Sequence, residues 1–273
     1  MEIAFLILLF VAGSCFGSFL CCQARRLHLK TIKKGRKKLP SRSVCLHCHY
    51  KLKWYDNIPV ISWFLLGGKC RKCHQKIGLA EIISELATGA TFLAFGAHFI
   101  FVINTTEMFT VASPLVWLIF ILTLIFSLSL IFLAIYDGLY GELPTIFLII
   151  SIVLAVVLLV TKQIILSQAT GFTPELIYQP LLSASVLGGL YLILYLVSKG
   201  KWVGDGDWLL GISIGLALGD PWLALIALFI ANLLASLVAL PTIKKTQKIH
   251  LGPFLVASFV VTSIFANFFQ SML

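Results

Sequence analysis

The chain reads as an all-α, polytopic membrane protein with about eight transmembrane helices and a small cytoplasmic zinc-binding loop module. Three observations predict this. The 273 residues are 59% hydrophobic and only 12% charged, with a mean hydropathy of +1.00, more apolar surface than a soluble domain can hide. The apolar runs are long and unbroken, which suits helices, because strands of a membrane barrel alternate. The basic residues are crowded into one interhelical segment that also holds two Cys-x2-Cys pairs.

The runs at 3–22, 79–103, 115–136, 146–160, 176–197, 208–218, 222–240 and 251–269 are the eight expected spans. The run 208–218 is short against about 30 Å of hydrocarbon and reads as a half-span. In the first run, Gly13, Ser14, Gly17 and Ser18 set small residues four apart, the pattern of close helix packing. This run reads as an anchor rather than a cleavable signal peptide, because Glu2 precedes it and the positive charges follow it.

Charge predicts the orientation. Fifteen of the 21 Lys and Arg residues lie between positions 25 and 76. Lys199 and Lys201 precede the sixth run, and Lys244, Lys245 and Lys248 follow the seventh. Only Lys162 falls on the other side. The positive-inside rule then puts the loops at 23–78, 137–145, 198–207 and 241–250 in the cytoplasm and both termini outside. The basic run 25–38 reads as a solvated stretch near anionic lipid.

Cys45-x2-Cys48 and Cys70-x2-Cys73 are separated by 21 residues. In a reducing compartment such pairs suit a structural zinc ion held by four thiolates better than two disulfides. His47, His49 and His74 lie beside the pairs, where one could replace a thiolate. A basic loop with zinc knuckles also suits nucleic acid, but the membrane tether makes that use unexpected. The segment 54–63 between the pairs is aromatic for a loop, as if to seat the module on the membrane surface. Cys15, Cys21 and Cys22 read as small packing residues.

Acids near lipid cost on the order of 3 kcal/mol at the bilayer centre and point to function. Asp137 closes the third run, and Gly204-Asp205-Gly206-Asp207 opens the sixth, both on the cytoplasmic side of the expected topology. Two adjacent carboxylates cannot both ionise easily. One keeps a proton while the other activates water, which is aspartic-protease chemistry. Spacing alone leaves Asp205 and Asp207 as equal candidates. Asp220-Pro221 reads as a turn, Glu142 as a solvated acid, and His98 and His250 as isolated residues. Glu81 and Glu85 share a helical face, as dipole partners or as the lining of a pocket.

Gly17-Ser18-Phe19-Leu20, the two cysteine pairs with Trp54–Pro59 and Ser62 between them, Glu85-Leu86, Asp137 with Leu143-Pro144, Gly204-x-Gly206-Asp207 and Gly252-Pro253-Phe254-Leu255 together resemble the motifs of the prepilin peptidases, or type IV leader peptidases, including those that serve competence pseudopilins. The resemblance runs along nearly the whole chain. It implies a di-aspartyl endopeptidase with Asp137 and Asp207 catalytic, and Cys45, Cys48, Cys70 and Cys73 on structural zinc. Its expected substrates are prepilin-like precursors with a basic leader, cut at the cytoplasmic face of a bacterial plasma membrane. Where methyltransferase activity is retained, S-adenosylmethionine is the methyl donor. The implied organisation is a first helix (1–22), a zinc loop (23–78) and a membrane-embedded peptidase part (79–273), with membrane lipid as the surroundings and no nucleic-acid partner. Cys21, Leu209 and Leu251 depart from the usual asparagine, lysine and phenylalanine. The reading from another class is a non-catalytic scaffold or transporter with a zinc-bearing cytoplasmic loop.

Overall fold

The computed structural model describes residues 2–33, 43–45, 47–105, 114–239 and 250–271. The end of the basic run 25–38 and Lys244, Lys245 and Lys248 lie outside them. The chain divides into two compact units, Met1–Ile100 and Phe101–Leu273.

In the first unit, α1 (Glu2–Lys33) and α3 (Leu79–Thr105) are long apolar helices. They pack through their small residues. A Cβ at Gly13 would lie 2.7 Å from the Thr88 carbonyl, and one at Gly17 would run into the Ser84 carbonyl. Phe16 of α1 meets Phe92 of α3 with ring centroids 6.0 Å apart. Between these helices the chain forms a 3-10 turn (Trp54–Asn57) and the short α2 (Ile61–Leu65).

The second unit holds α4 (Pro114–Tyr140), α5 (Thr145–Thr170), α6 (Glu175–Ala184), a π turn (Ser185–Gly189), α7 (Leu190–Ser198), α8 (Asp207–Leu218), α9 (Pro221–Ala239), α10 (Gly252–Ile264) and α11 (Ala266–Ser271). The short α8 is its centre. It packs against α5, α6, the π turn, α7, α9 and α10, and Leu210, Ser213 and Ile214 are fully enclosed. That explains why α8 is apolar all round. The π turn lets its backbone approach α8, with Gly188 against Trp208 and Ile212. Ser183 of α6 donates to the Gly215 carbonyl at 2.7 Å.

Among the described residues, six helical stretches are long and apolar enough to span a membrane, and Asp207–Leu218 and Gly252–Ile264 are shorter apolar helices. The eight expected runs thus fold as six long and two short segments of a multi-pass membrane protein. Two details differ from expectation. α4 continues through Asp137 to Tyr140, because Gly138 is tolerated within a last turn that Gly141 closes at φ +70°. Lys162 is not a loop charge. It lies in α5 and donates to the Ala217 carbonyl at 2.9 Å, satisfying the C-terminal end of α8.

Gly17→Leu should lower the stability of the α1–α3 pair by roughly 1–3 kcal/mol through overpacking. Thermal unfolding of the protein in detergent, with Val11→Leu on the exposed face of α1 as control, measures it.

Candidate active site and metal centre

The first unit carries the cysteine cluster. Each pair folds as the same knuckle. Cys45 N–H donates to the Tyr50 carbonyl and His49 N–H to the Cys45 carbonyl; Cys70 N–H donates to the Gln75 carbonyl and His74 N–H to the Cys70 carbonyl. One antiparallel bridge closes each turn, Val44 with Lys51 and Lys69 with Lys76. His49 and His74 occupy the matching positions, at φ +56° and +54°. Their place is in the turn, and among the described residues the ligand cluster consists of the four cysteines.

The four Sγ atoms lie within 4.8 Å of one another, with Cys45–Cys73 at 3.8 Å and Cys48–Cys70 at 4.0 Å. A tetrahedral ion with bonds of about 2.3 Å sets its sulfurs roughly 3.8 Å apart, so the donor set and its spacing fit such an ion. The backbone N–H groups of Cys73 and Lys72 draw the Cys70 thiol down to about 7, toward the thiolate that a metal needs. Arg71, inside the second knuckle, pairs with Asp56 Oδ1 at 2.8 Å and lies over the Tyr55 ring. The Lys53 N–H donates to Asp56 Oδ2 at 3.1 Å. The aromatic segment is thereby tied to the second knuckle.

Glu81 lies in the first turn of α3, where a dipole partner is expected, and also pairs with Arg25 of α1 at 2.6 Å. Buried Glu85 accepts from the Val60 N–H at 2.7 Å.

The second unit carries the paired acids. Asp137, in the last turn of α4, is 5% exposed, and its Oδ2 accepts from the Gly252 N–H at 2.9 Å. That donor belongs to the first residue of α10, so the positive end of the helix faces the carboxylate. Gly252 is required here, since a Cβ would sit 2.7 Å from Asp137 Oδ2. His250 Nδ1 lies 3.7 Å from Asp137 Oδ1. His250 is therefore not isolated, contrary to expectation. Its position directly before the Leu-Gly-Pro motif was the available clue.

Asp207 begins α8, is also 5% exposed, and accepts from the Gly204 N–H through Oδ2 at 2.8 Å. A Cβ on Gly206 would meet Leu143 at 2.6 Å, so the Gly-x-Gly turn lies against the Leu-Pro turn that follows Asp137. Asp205 is exposed, which separates it from Asp207. Tyr191, 1% exposed in α7, accepts through its hydroxyl from Asn232 Nδ2 of α9 at 3.2 Å. Nothing in the apolar runs around Tyr191 and Asn232 signals this pair. Asp220 caps α9 through the Trp222 N–H at 2.8 Å, and Glu142 is exposed, both as expected.

Residues 11–99 match the family described as the bacterial peptidase A24 N-terminal domain. Several curated relatives share the description "Prepilin leader peptidase/N-methyltransferase". The protein of Vibrio cholerae is 40% identical over 90 residues, covering 32% of this chain and 36% of its own length. That of Myxococcus xanthus is 36% identical over 117 residues, 43% of this chain and 33% of its own. That of Klebsiella pneumoniae is 37% identical over 89 residues, 32% of this chain and 39% of its own. The matched region thus spans about a third of the length of these relatives. No solved structure matches. The resemblance to the prepilin peptidases stands on both comparisons.

Elemental analysis of the purified protein should find about one thiophilic metal ion per chain, as one closed four-sulfur site requires. Cys45→Ser and Cys70→Ser should each lose it.

Proposed function

We propose that the protein is a membrane aspartic endopeptidase that removes the leader peptide of type IV prepilin-like precursors. The observation that carries this reading is the pair of buried carboxylates, Asp137 and Asp207, each held by one backbone amide, Gly252 at the start of α10 and Gly204 in the turn before α8, with the turns beside them in contact through Leu143 and Gly206. The exposure of Asp205 supports Asp207 as the second member. The descriptions of the relatives as prepilin leader peptidases support the substrate class.

Two like charges in an apolar site share one proton. The ionised carboxylate takes a proton from water, whose oxygen attacks the scissile carbonyl. The protonated carboxyl supports the developing oxyanion. Breakdown of the tetrahedral intermediate breaks the C–N bond, and a proton from the pair goes to the leaving amine. One water is consumed, and a new carboxylate and a new N-terminus result. The amide donors from Gly252 and Gly204 keep each acid oriented and partly offset its charge. Tyr191 and Asn232 add a polar wall beside Asp207.

The four cysteines hold zinc in a structural role, since a closed sulfur shell leaves no open position. The new amine is the group a methyltransferase would modify, with S-adenosylmethionine as donor. The protein sits in the bacterial plasma membrane with both termini outside, and with the cysteine loop and the two acids on the cytoplasmic side. The peptidase part comprises 79–273, the zinc loop 23–78 and the first helix 1–22. Its partners are prepilin-like precursors and lipid, not nucleic acid.

Co-expression with a candidate prepilin, read by the mass of the mature N-terminus, tests the reading and reports an added methyl group as well. Asp137→Asn and Asp207→Asn should each reduce cleavage roughly 100-fold or more, the scale of lost acid–base catalysis. Asp205→Asn should retain cleavage. Full cleavage by either of the first two, or ion flux without proteolysis by the wild type, would sink the proposal. In the same assay Tyr191→Phe should slow cleavage with unchanged protein abundance.

A further inference from the structure

The segment between the cysteine knuckles has a feature that neither metal binding nor peptide cleavage uses. Its short helix α2 begins at Val60, at φ +63°, and the amide of that residue donates to Glu85 at 2.7 Å. On α1 the residue at this level is Gly17, where a Cβ would lie 2.9 Å from Glu85 Cα. Gly17 lies eight residues before Arg25, about 12 Å along the helix at 1.5 Å per residue. Glu85 lies one turn beyond Glu81, whose ion pair with Arg25 marks the level at which charge returns to α1 and α3. α2 therefore starts beside the apolar body of the two spans, below the level of that ion pair. The Ile77 N–H bonds the Gly68 carbonyl at 2.7 Å, tying the far end of α2 to the start of α3.

At this depth α2 turns apolar side chains outward. Ile61 is 56% exposed, Phe64 62% and Leu65 81%. Water on those groups would be costly, at about 25 cal/mol per Å² of apolar surface. The neighbouring knuckle residues Lys51, Lys69, Lys72 and Lys76 are exposed and basic, the charge that anionic headgroups attract.

We propose that α2 is an interfacial helix. Ile61, Phe64 and Leu65 insert into the headgroup–acyl boundary of the bilayer that α1 and α3 span, with the lysines of the knuckles against its anionic headgroups. The cysteine cluster is then held at the membrane surface by lipid as well as by its own chain. The occupant is lipid because the anchoring bonds set the depth of α2 within the spans, where the surroundings are bilayer. The inference rests on the membrane spans and not on the peptidase reading, so either can fail without the other.

Photocrosslinking tests it. Benzoylphenylalanine is placed at position 64, 65 or 75 of the full chain, which is reconstituted in vesicles of phosphatidylethanolamine and phosphatidylglycerol. Positions 64 and 65 should yield phospholipid adducts by mass spectrometry, several-fold more than position 75 in the second knuckle. Equal yields at the three positions, or adducts with a second copy of the chain in place of lipid, would overturn the proposal. Hydroxyl-radical footprinting of the unsubstituted protein in the same vesicles gives an answer that no substitution can disturb. His47 and His74 should be oxidised while Phe64 and Leu65 are spared, and equal oxidation of all four would reject lipid cover.

Discussion

A carboxylate enclosed by apolar helices must find a donor in the protein, because water is not there to supply one. Among the described residues four acids are buried, Asp56, Glu85, Asp137 and Asp207. Each takes one main-chain N–H, from Lys53, Val60, Gly252 and Gly204 respectively. A charged hydrogen bond of this kind contributes about 1.5–3 kcal/mol. It does more than offset burial. The bond from Gly252 reaches across 115 residues of chain to set the start of α10 on the end of α4. The bond from Val60 fastens the loop to α3. The acids are thus joints of the architecture before they are reagents.

The rest of each unit follows from making room for such joints. Small residues let α1 and α3 approach until backbone carbonyls of one face Cα atoms of the other. Gly188, Gly211 and Gly215 do the same around α8, which would otherwise be too crowded by its neighbours to bring Asp207 into the buried layer. The far end of α8 needs a donor too, and Lys162 provides it from α5. The lysine places its donor at a helix C-terminus, where carbonyls lack partners of their own.

Much of this was legible from residues in order. Apolar period and length marked the helices, small residues at 13 and 17 marked the closest contact, and the two Cys-x2-Cys pairs marked the cluster that the fold assembles. The doubled His after each second cysteine was also visible, but its meaning was not. A histidine beside a thiolate invites a ligand reading, whereas a left-handed turn residue can be told only from backbone angles. Asp205 and Asp207 differ by burial alone, a property of the whole bundle that spacing cannot carry. His250, Tyr191 and Asn232 depend on contacts between residues 41 and 113 apart in sequence, so no local pattern announces them. Glu85 was seen, yet its partner is an amide, and an amide has no letter in the sequence.

The duplicated knuckle has a consequence for order. Each knuckle closes on bonds within a few residues and can form by itself. Bringing the two together closes a loop from Cys45 to Cys73, within which Arg71 joins Asp56 and the Tyr55 ring of the aromatic segment to the second turn. An ion on four sulfurs is a cross-link between the halves. Cross-links over loops of this length restrict the unfolded chain by about 3 kcal/mol or somewhat more. If the four sulfurs hold such an ion, its supply would govern the entropy of the stretch that joins the two knuckles, and a scarce ion would loosen that stretch while leaving the helices on either side in place.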